Sequence, residues 1–294
     1  MREFPFVTMD VFTDRRFGGN PLAVFPEAEG LTDAEMLALT REFNLSETTF
    51  VLPPKDPANT ARVRIFCPAF EMPFAGHPLV GTAAVLAERR PGLARLTLEV
   101  LAGPVEVTIE RDTEGQVKSA VIAAPQPLSF GRDLPPAEIA ACCGITEQDL
   151  ILTNHRPIVA SVGNPFVIAE IKPDALARAR PDLPAFRSAA ARLGMEDRFD
   201  IHLYAHDGAG RLRARMFAPL AGIPEDPATG SANAPLAALL LSLGNEAEDQ
   251  WQVTQGVEMG RPSLLNVAAR RQGDVIRATV GGGSVPMFEG RVRL

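Results

Sequence analysis

The sequence predicts an α+β fold of two similar halves, in each of which strands wrap one apolar helix. Three observations predict it. Segments recur in order along the chain: GGNPLAVF (18–25) is echoed by VGNPFVIA (162–169), RVRIFCP (62–68) by RARMFAP (213–219), and GHPLVGTAAVLAE (76–88) by EDPATGSANAPLAAL (225–239). Each half carries apolar runs of period two, the signature of half-buried strands. Each also carries one strongly apolar helix, whose small-residue opening and apolar body predict burial on most sides. A duplication constrains architecture more firmly than local propensity does. The halves divide as 1–125 and 126–294, with the last strand free to cross back to the first half.

In chain order, DAEMLALTREF (33–43) has apolar spacing at i, i+3 and i+4, with Thr32 as N-cap and Glu35 at capping-box spacing, which predicts an amphipathic surface helix. TTFVL, RVRIF, RLTLEV, PVEVTIE and KSAVIAA read as strands, separated by the helix LVGTAAVLAERR (79–90). In the second half RARMF, NVAAR and VIRATV read as strands, and SANAPLAALLLSLG (231–244) as the matching helix. Pro235 costs little if that helix starts near Ser231, because it then falls at the end of the first turn. EDPATG would lie outside the helix, with Asp226 able to cap it and Glu225 solvated.

The hydrophobic content of 46% supports a packed core, and 29 Lys and Arg against 36 Asp and Glu form no basic stripe, so nucleic acid is not an expected partner. MREFPFVTMDVF lacks the apolar run of a signal peptide, and no segment has the uncharged length of a membrane helix. Cys67, Cys142 and Cys143 form neither a disulfide framework nor a spaced metal pattern, and the four histidines are scattered. The expectation is a cytoplasmic protein that uses no metal.

Three titratable residues stand where chemistry is possible. His77 and Asp226 occupy matched positions at the mouths of the two apolar helices, which would converge on one cleft if the halves pack about a pseudo-twofold axis. Such helix mouths suit a small molecule bearing a carboxylate. Glu47, in FNLSETTFVLP, stands at the start of a strand, where desolvation would raise its pKa toward the range of a general acid or base. Taken singly, Glu47 reads more readily as an exposed strand end and Asp226 as a helix cap or Asp-Pro turn, while His77 reads equally as a loop histidine bonded to a carbonyl.

Together with GGNPLAVF and FNLSETTFVLP, the segments RIFCPAFEMPFAGHPLVGTA, RMFAPLAGIPEDPATGSA, QGVEMGRPS (255–263) and GGGSVPMFEG (281–290) resemble the successive signatures of the phenazine-biosynthesis F (PhzF-like) isomerase family. The match covers residues 18–290. The resemblance implies the diaminopimelate-epimerase-like fold, two pseudo-symmetric halves, each a mostly antiparallel barrel-like sheet around a central helix, with the active site between them. It implies that the glutamate of the S-E-T motif, Glu47, carries a proton. His77, Asp226 and Ser231 would contact the substrate, and backbone N–H groups at Gly76 and around Gly230 would hold its carboxylate. Related epimerases place cysteines at the two helix mouths; His77 and Asp226 stand there instead, which argues against a two-thiol racemase. The implied reaction is isomerisation of trans-2,3-dihydro-3-hydroxyanthranilate, without metal or organic cofactor, in a homodimer. An epimerase or other proton-transfer enzyme acting on a different amino or hydroxy acid, and a non-catalytic small-molecule-binding homologue, remain alternatives.

Overall fold

The computed structural model describes residues 1–294. These divide into two units, residues 1–123 with 281–294, and residues 124–280. In the first unit β1 (Glu3–Val11) pairs antiparallel with β2 (Asn20–Phe25), and α1 (Asp33–Phe43) carries the chain to β3 (Glu47–Leu52), parallel to β2. β4 (Ala61–Phe66) returns antiparallel, and the two-residue β5 (Glu71–Met72) folds back on it. α2 (Gly76–Arg89) then crosses to β6 (Arg95–Val100), parallel to β4, and β7 (Gly103–Arg111) and β8 (Val117–Ala123) follow antiparallel.

The second unit contains β9 (Ser129–Asp133), α3 (Pro136–Cys143), β10 (Ile158–Ser161), β11 (Pro165–Glu170), α4 (Pro173–Arg178), α5 (Leu183–Leu193), β12 (Ile201–His206) and β13 (Arg211–Ala218). It continues through β14 (Ile223–Asp226), α6 (Gly230–Ser242), β15 (Glu248–Gln255), β16 (Ser263–Gln272) and β17 (Val275–Gly282). The final strand, β18 (Ser284–Arg293), belongs to the first unit and pairs antiparallel with β1.

The pairing order repeats. From β1 through β2, β3, β4 and β6 to β7 the steps alternate antiparallel, parallel, antiparallel, parallel, antiparallel. From β10 through β11, β12, β13 and β15 to β16 they do the same. Parallel neighbours cannot be joined by a hairpin, so each parallel step takes a crossover containing a helix. The echoed segments fall on matched elements: β2 and β11, β4 and β13, and α2 with the β14–α6 segment.

The predicted elements form with small shifts. Thr32 and Glu35 make the reciprocal capping box at α1. In α2 every residue from Gly76 to Ala87 is buried, and the helix packs on β1, β2, β3, β7, β8 and β18. α6 is buried continuously from Ala232 to Leu239 and packs on β10, β11, β15 and β16. α2 approaches the sheet so closely that a Cβ at Gly81 would stand 2.6 Å from Leu22 Cδ2 and 2.7 Å from Val11 Cγ2. Alanine there gains helix propensity but overpacks this contact, so Gly81→Ala is expected to lose about 1–2 kcal/mol of stability, read by urea denaturation.

The mouths of the two central helices differ from expectation. α2 starts early enough to include His77 in its first turn, whereas α6 starts at Gly230 and Asp226 ends strand β14. Thr229, not Asp226, is the N-cap residue of α6, and its side chain makes no cap hydrogen bond. Pairing with Met216 holds Asp226 in an extended backbone. Pro235 lies in the second turn rather than the first, where it has no N–H to give the Ser231 carbonyl. Glu225 is not solvated either; it is bound to a buried arginine, Arg215. No helix is long and apolar enough to cross a membrane.

Candidate active site

In the first unit the parallel register sets Glu47 opposite Leu22 at the start of β3. The next residues along β3, Thr48, Thr49 and Phe50, are fully buried. The strand is tied to the central helix by a hydrogen bond between the hydroxyls of Thr49 and Thr82 at 2.8 Å. α2 places His77 against Glu47, with His77 Nε2 3.4 Å from Glu47 Oε2 and the side chains only 8% and 13% exposed. Glu47 Oε2 is buried and accepts no hydrogen bond. Burial pushes the Glu47 carboxyl up to about 7, opposed in part by the Ser46 hydroxyl. A carboxyl with that pKa is populated in both protonation states near neutral pH, which suits taking up and returning a proton. Gly76 is the buried first residue of α2, and no side chain caps the helix at Ala75.

In the second unit Gly230 and Ser231 open α6, Gly230 buried and Ser231 partly exposed. Asp226 is 9% exposed, and its Oδ2 accepts a hydrogen bond from the Thr229 hydroxyl at 2.5 Å. Around it lies a buried polar cluster of Thr229, Asn233, Gln255 and His202 that sequence reading did not identify. Gln255 opens the motif QGVEMGRPS, and Thr229 belongs to EDPATGSA, so both stood inside quoted signatures without a role. Asp200 was also missed. Val167 pairs with Ile201 and its N–H donates to the Asp200 carbonyl, so Asp200 enters β12 much as Glu47 enters β3. Burial raises its pKa as well, but Arg198 holds its Oδ2 at 3.1 Å.

Cys67 lies just past β4, its thiol donating to the Phe70 carbonyl, and Cys142 and Cys143 are buried with their thiol pKa values raised by desolvation. Neither Cys142 nor Cys143 has the lowered pKa expected of an activated thiol. No group of three or more His, Cys, Asp or Glu side chains is placed to hold a metal. A groove of about 490 Å³ in the first unit is lined by Lys55, Arg62, Arg64, Glu71 and Glu99, none of them a predicted site residue. Its charges are largely matched internally, Arg64 with Glu71, and Glu99 with the backbone N–H groups of Lys55 and Asp56.

The profile of the phenazine biosynthesis-like protein family, PhzC-PhzF, matches residues 9–290. A trans-2,3-dihydro-3-hydroxyanthranilate isomerase from Pseudomonas chlororaphis is 37% identical over 98% of this chain and 99% of its own. The crystal structure of a PhzF-family phenazine biosynthesis protein from Bacillus anthracis superposes with a TM-score of 0.89 at 26% identity, each chain covered fully. A hydroxyproline epimerase from Agrobacterium vitis shares the fold at a TM-score of 0.62 and 15% identity, over 99% of this chain and 92% of its own. The chain therefore belongs to the phenazine biosynthesis-like, or PhzF, family.

Proposed function

We propose that the protein is a cofactor-independent isomerase that moves a proton within a small, carboxylate-bearing cyclic substrate, in the manner of trans-2,3-dihydro-3-hydroxyanthranilate isomerase. The observation that carries this reading is the buried Glu47 carboxyl, raised to about 7 beside His77. As carboxylate, Glu47 takes the proton from C3 of the substrate and becomes the acid; it then delivers a proton to C1 while the double bonds shift, so the product is an isomer and the enzyme returns unchanged. His77 orients the substrate beside Glu47. The uncapped first turn of α2 at Gly76, and Asp226, Gly230 and Ser231 of the second unit, bind substrate polar groups. The activity named for the Pseudomonas chlororaphis relative supports the same substrate class. We further propose a cytoplasmic homodimer, each chain divided into halves 1–125 and 126–294.

Turnover of trans-2,3-dihydro-3-hydroxyanthranilate in D2O tests the reading. Isomerised product carrying deuterium on the receiving carbon is expected, to an extent set by how often Glu47 exchanges with solvent before it returns the proton. Absence of isomerised product together with absence of label in recovered substrate would point instead to a binding protein. Isomerisation that is undiminished in Glu47→Gln would remove Glu47 from the mechanism.

A further inference from the structure

The polar cluster behind Asp226 runs in a single direction, and its hydrogens can be assigned one by one. The Gln255 amide is fully buried, and the backbone decides which way it faces. The Thr229 N–H must donate and meets Oε1 at 3.2 Å, while the Asp226 carbonyl must accept and meets Nε2 at 2.8 Å. The second Nε2 hydrogen goes to Thr229 Oγ1 at 3.0 Å. That contact takes up a lone pair of the hydroxyl and commits its one hydrogen to Asp226 Oδ2, 2.5 Å away.

The cluster is anchored from behind. Asn233 Nδ2 donates to Gln255 Oε1 at 2.8 Å and to the Thr229 carbonyl at 3.0 Å, so Asn233 Oδ1 accepts from His202 Nε2 at 3.1 Å. Burial drives His202 down to about 4, so near neutral pH it is an uncharged ring with its hydrogen on Nε2. The backbone is fitted as closely as the side chains. A Cβ on Gly256, at φ 74°, would stand 2.6 Å from the Pro227 carbonyl oxygen, so β15 reaches this turn only with glycine after Gln255.

We propose that Gln255 and Thr229 are positioning residues whose directional hydrogen bonds fix the backbone and the carboxylate of Asp226, and so set the affinity for the substrate's polar groups. The proposal rests on the reading of Asp226 as a substrate-binding residue. Gln255 spends both donors and its acceptor oxygen on the 226–233 segment, a use that core packing alone does not require. Loss of a hydrogen bond to a charged group in such a setting corresponds to about tenfold or more in binding.

The test compares Thr229→Val, Thr229→Ser, Gln255→Glu and Asp226→Asn by steady-state kinetics and crystallography. Thr229→Val removes the hydroxyl at nearly constant volume. Gln255→Glu retains shape but can donate to neither the Asp226 carbonyl nor Thr229 as a carboxylate, and to at most one of them as an acid. Both are expected to raise KM about tenfold with kcat within about twofold, as loss of ground-state binding requires. Both are expected to show a turned Asp226 carboxylate in the crystal, and Thr229→Ser to restore wild-type values. Thr229→Ala asks the same question of the hydroxyl should valine prevent folding. An Asp226 unmoved in the crystals of the hydroxyl-free variants and Gln255→Glu overturns the proposal, whatever the kinetics. A displaced Asp226 with unchanged KM, matched by unchanged KM in Asp226→Asn, upholds the positioning and removes Asp226 from substrate binding.

Discussion

Glu47→Gln is expected to lower turnover by about 10³-fold or more and, above pH 7, to make the folded protein more stable. The first effect follows from the proposed double duty of one carboxyl as base and then acid, since general acid–base groups contribute on the order of 10²–10⁴-fold. The second follows from burial. The Glu47 carboxyl is raised from 4.5 to about 7, so the folded state holds its proton over a range in which the unfolded state has released it. Its contribution to stability is complete below about pH 4.5, where both states are protonated, and is lost as pH rises through 7. A shift of that size corresponds to roughly 3 kcal/mol. Glutamine carries no charge to desolvate, so the variant should gain up to that amount over wild type at pH 8 to 9 and show little difference at pH 4. Denaturation across that range checks the sign, and a variant destabilised at high pH would show that the Glu47 carboxylate is stabilised in the fold rather than strained by it.

The same titration shapes the rate profile. A base with pKa about 7 is progressively lost below that pH, so kcat/KM should fall about tenfold per pH unit on the acid side. The rate limb and the stability difference both level off above about pH 7, because both report the folded-state titration of one carboxyl. On the proposed mechanism this is a cost of catalysis written into the fold: the carboxyl serves as base because its site disfavours the charge.

The sequence showed the repeat, the two central helices and the strands whose side chains alternate, because these depend on patterns local in sequence. Glu47 and His77 were legible as candidates, but their approach to 3.4 Å depends on the parallel pairing of β2 with β3 and on the close seating of α2 at Gly81, both long-range. α3 and α5 went unread although their ends carry recognisable signals: Pro136 and Gly144 for one, Asp182, Pro184 and Gly194 for the other. The Asp226 cluster was hidden for a different reason. Its members come from β12, the turn before α6, α6 itself and β15, and no spacing rule joins them.

Arg215 shows how a residue can be invisible in sequence and decisive in structure, and its replacement by methionine is expected to cost about 3–5 kcal/mol. Alternation left β13 free to point Arg213 and Arg215 either way. In the fold the Arg215 side chain is 2% exposed and its guanidinium makes four hydrogen bonds: Nε and Nη2 to the two Glu225 oxygens at 2.8 and 2.7 Å, and Nη1 to the carbonyls of Leu176 and Ala179 at 2.8 and 2.7 Å. Those carbonyls end α4, so the cation meets the negative end of a helix as well as a carboxylate. Removing it strands the largely buried Glu225, takes the donor from the Leu176 carbonyl and leaves the Ala179 carbonyl with Arg180 alone. Arg215→Lys should rescue little, because an ammonium cannot offer the planar fork that spans Glu225 while reaching both carbonyls. The double variant Arg215→Met with Glu225→Gln should recover part of the loss by removing the stranded charge, though not the carbonyls, so a double-mutant cycle should return a coupling of about 1–3 kcal/mol. Since Glu225 directly precedes Asp226 on β14, the single variant should also weaken substrate binding, while additive stabilities in the cycle would mean that Arg215 and Glu225 are each held by other contacts.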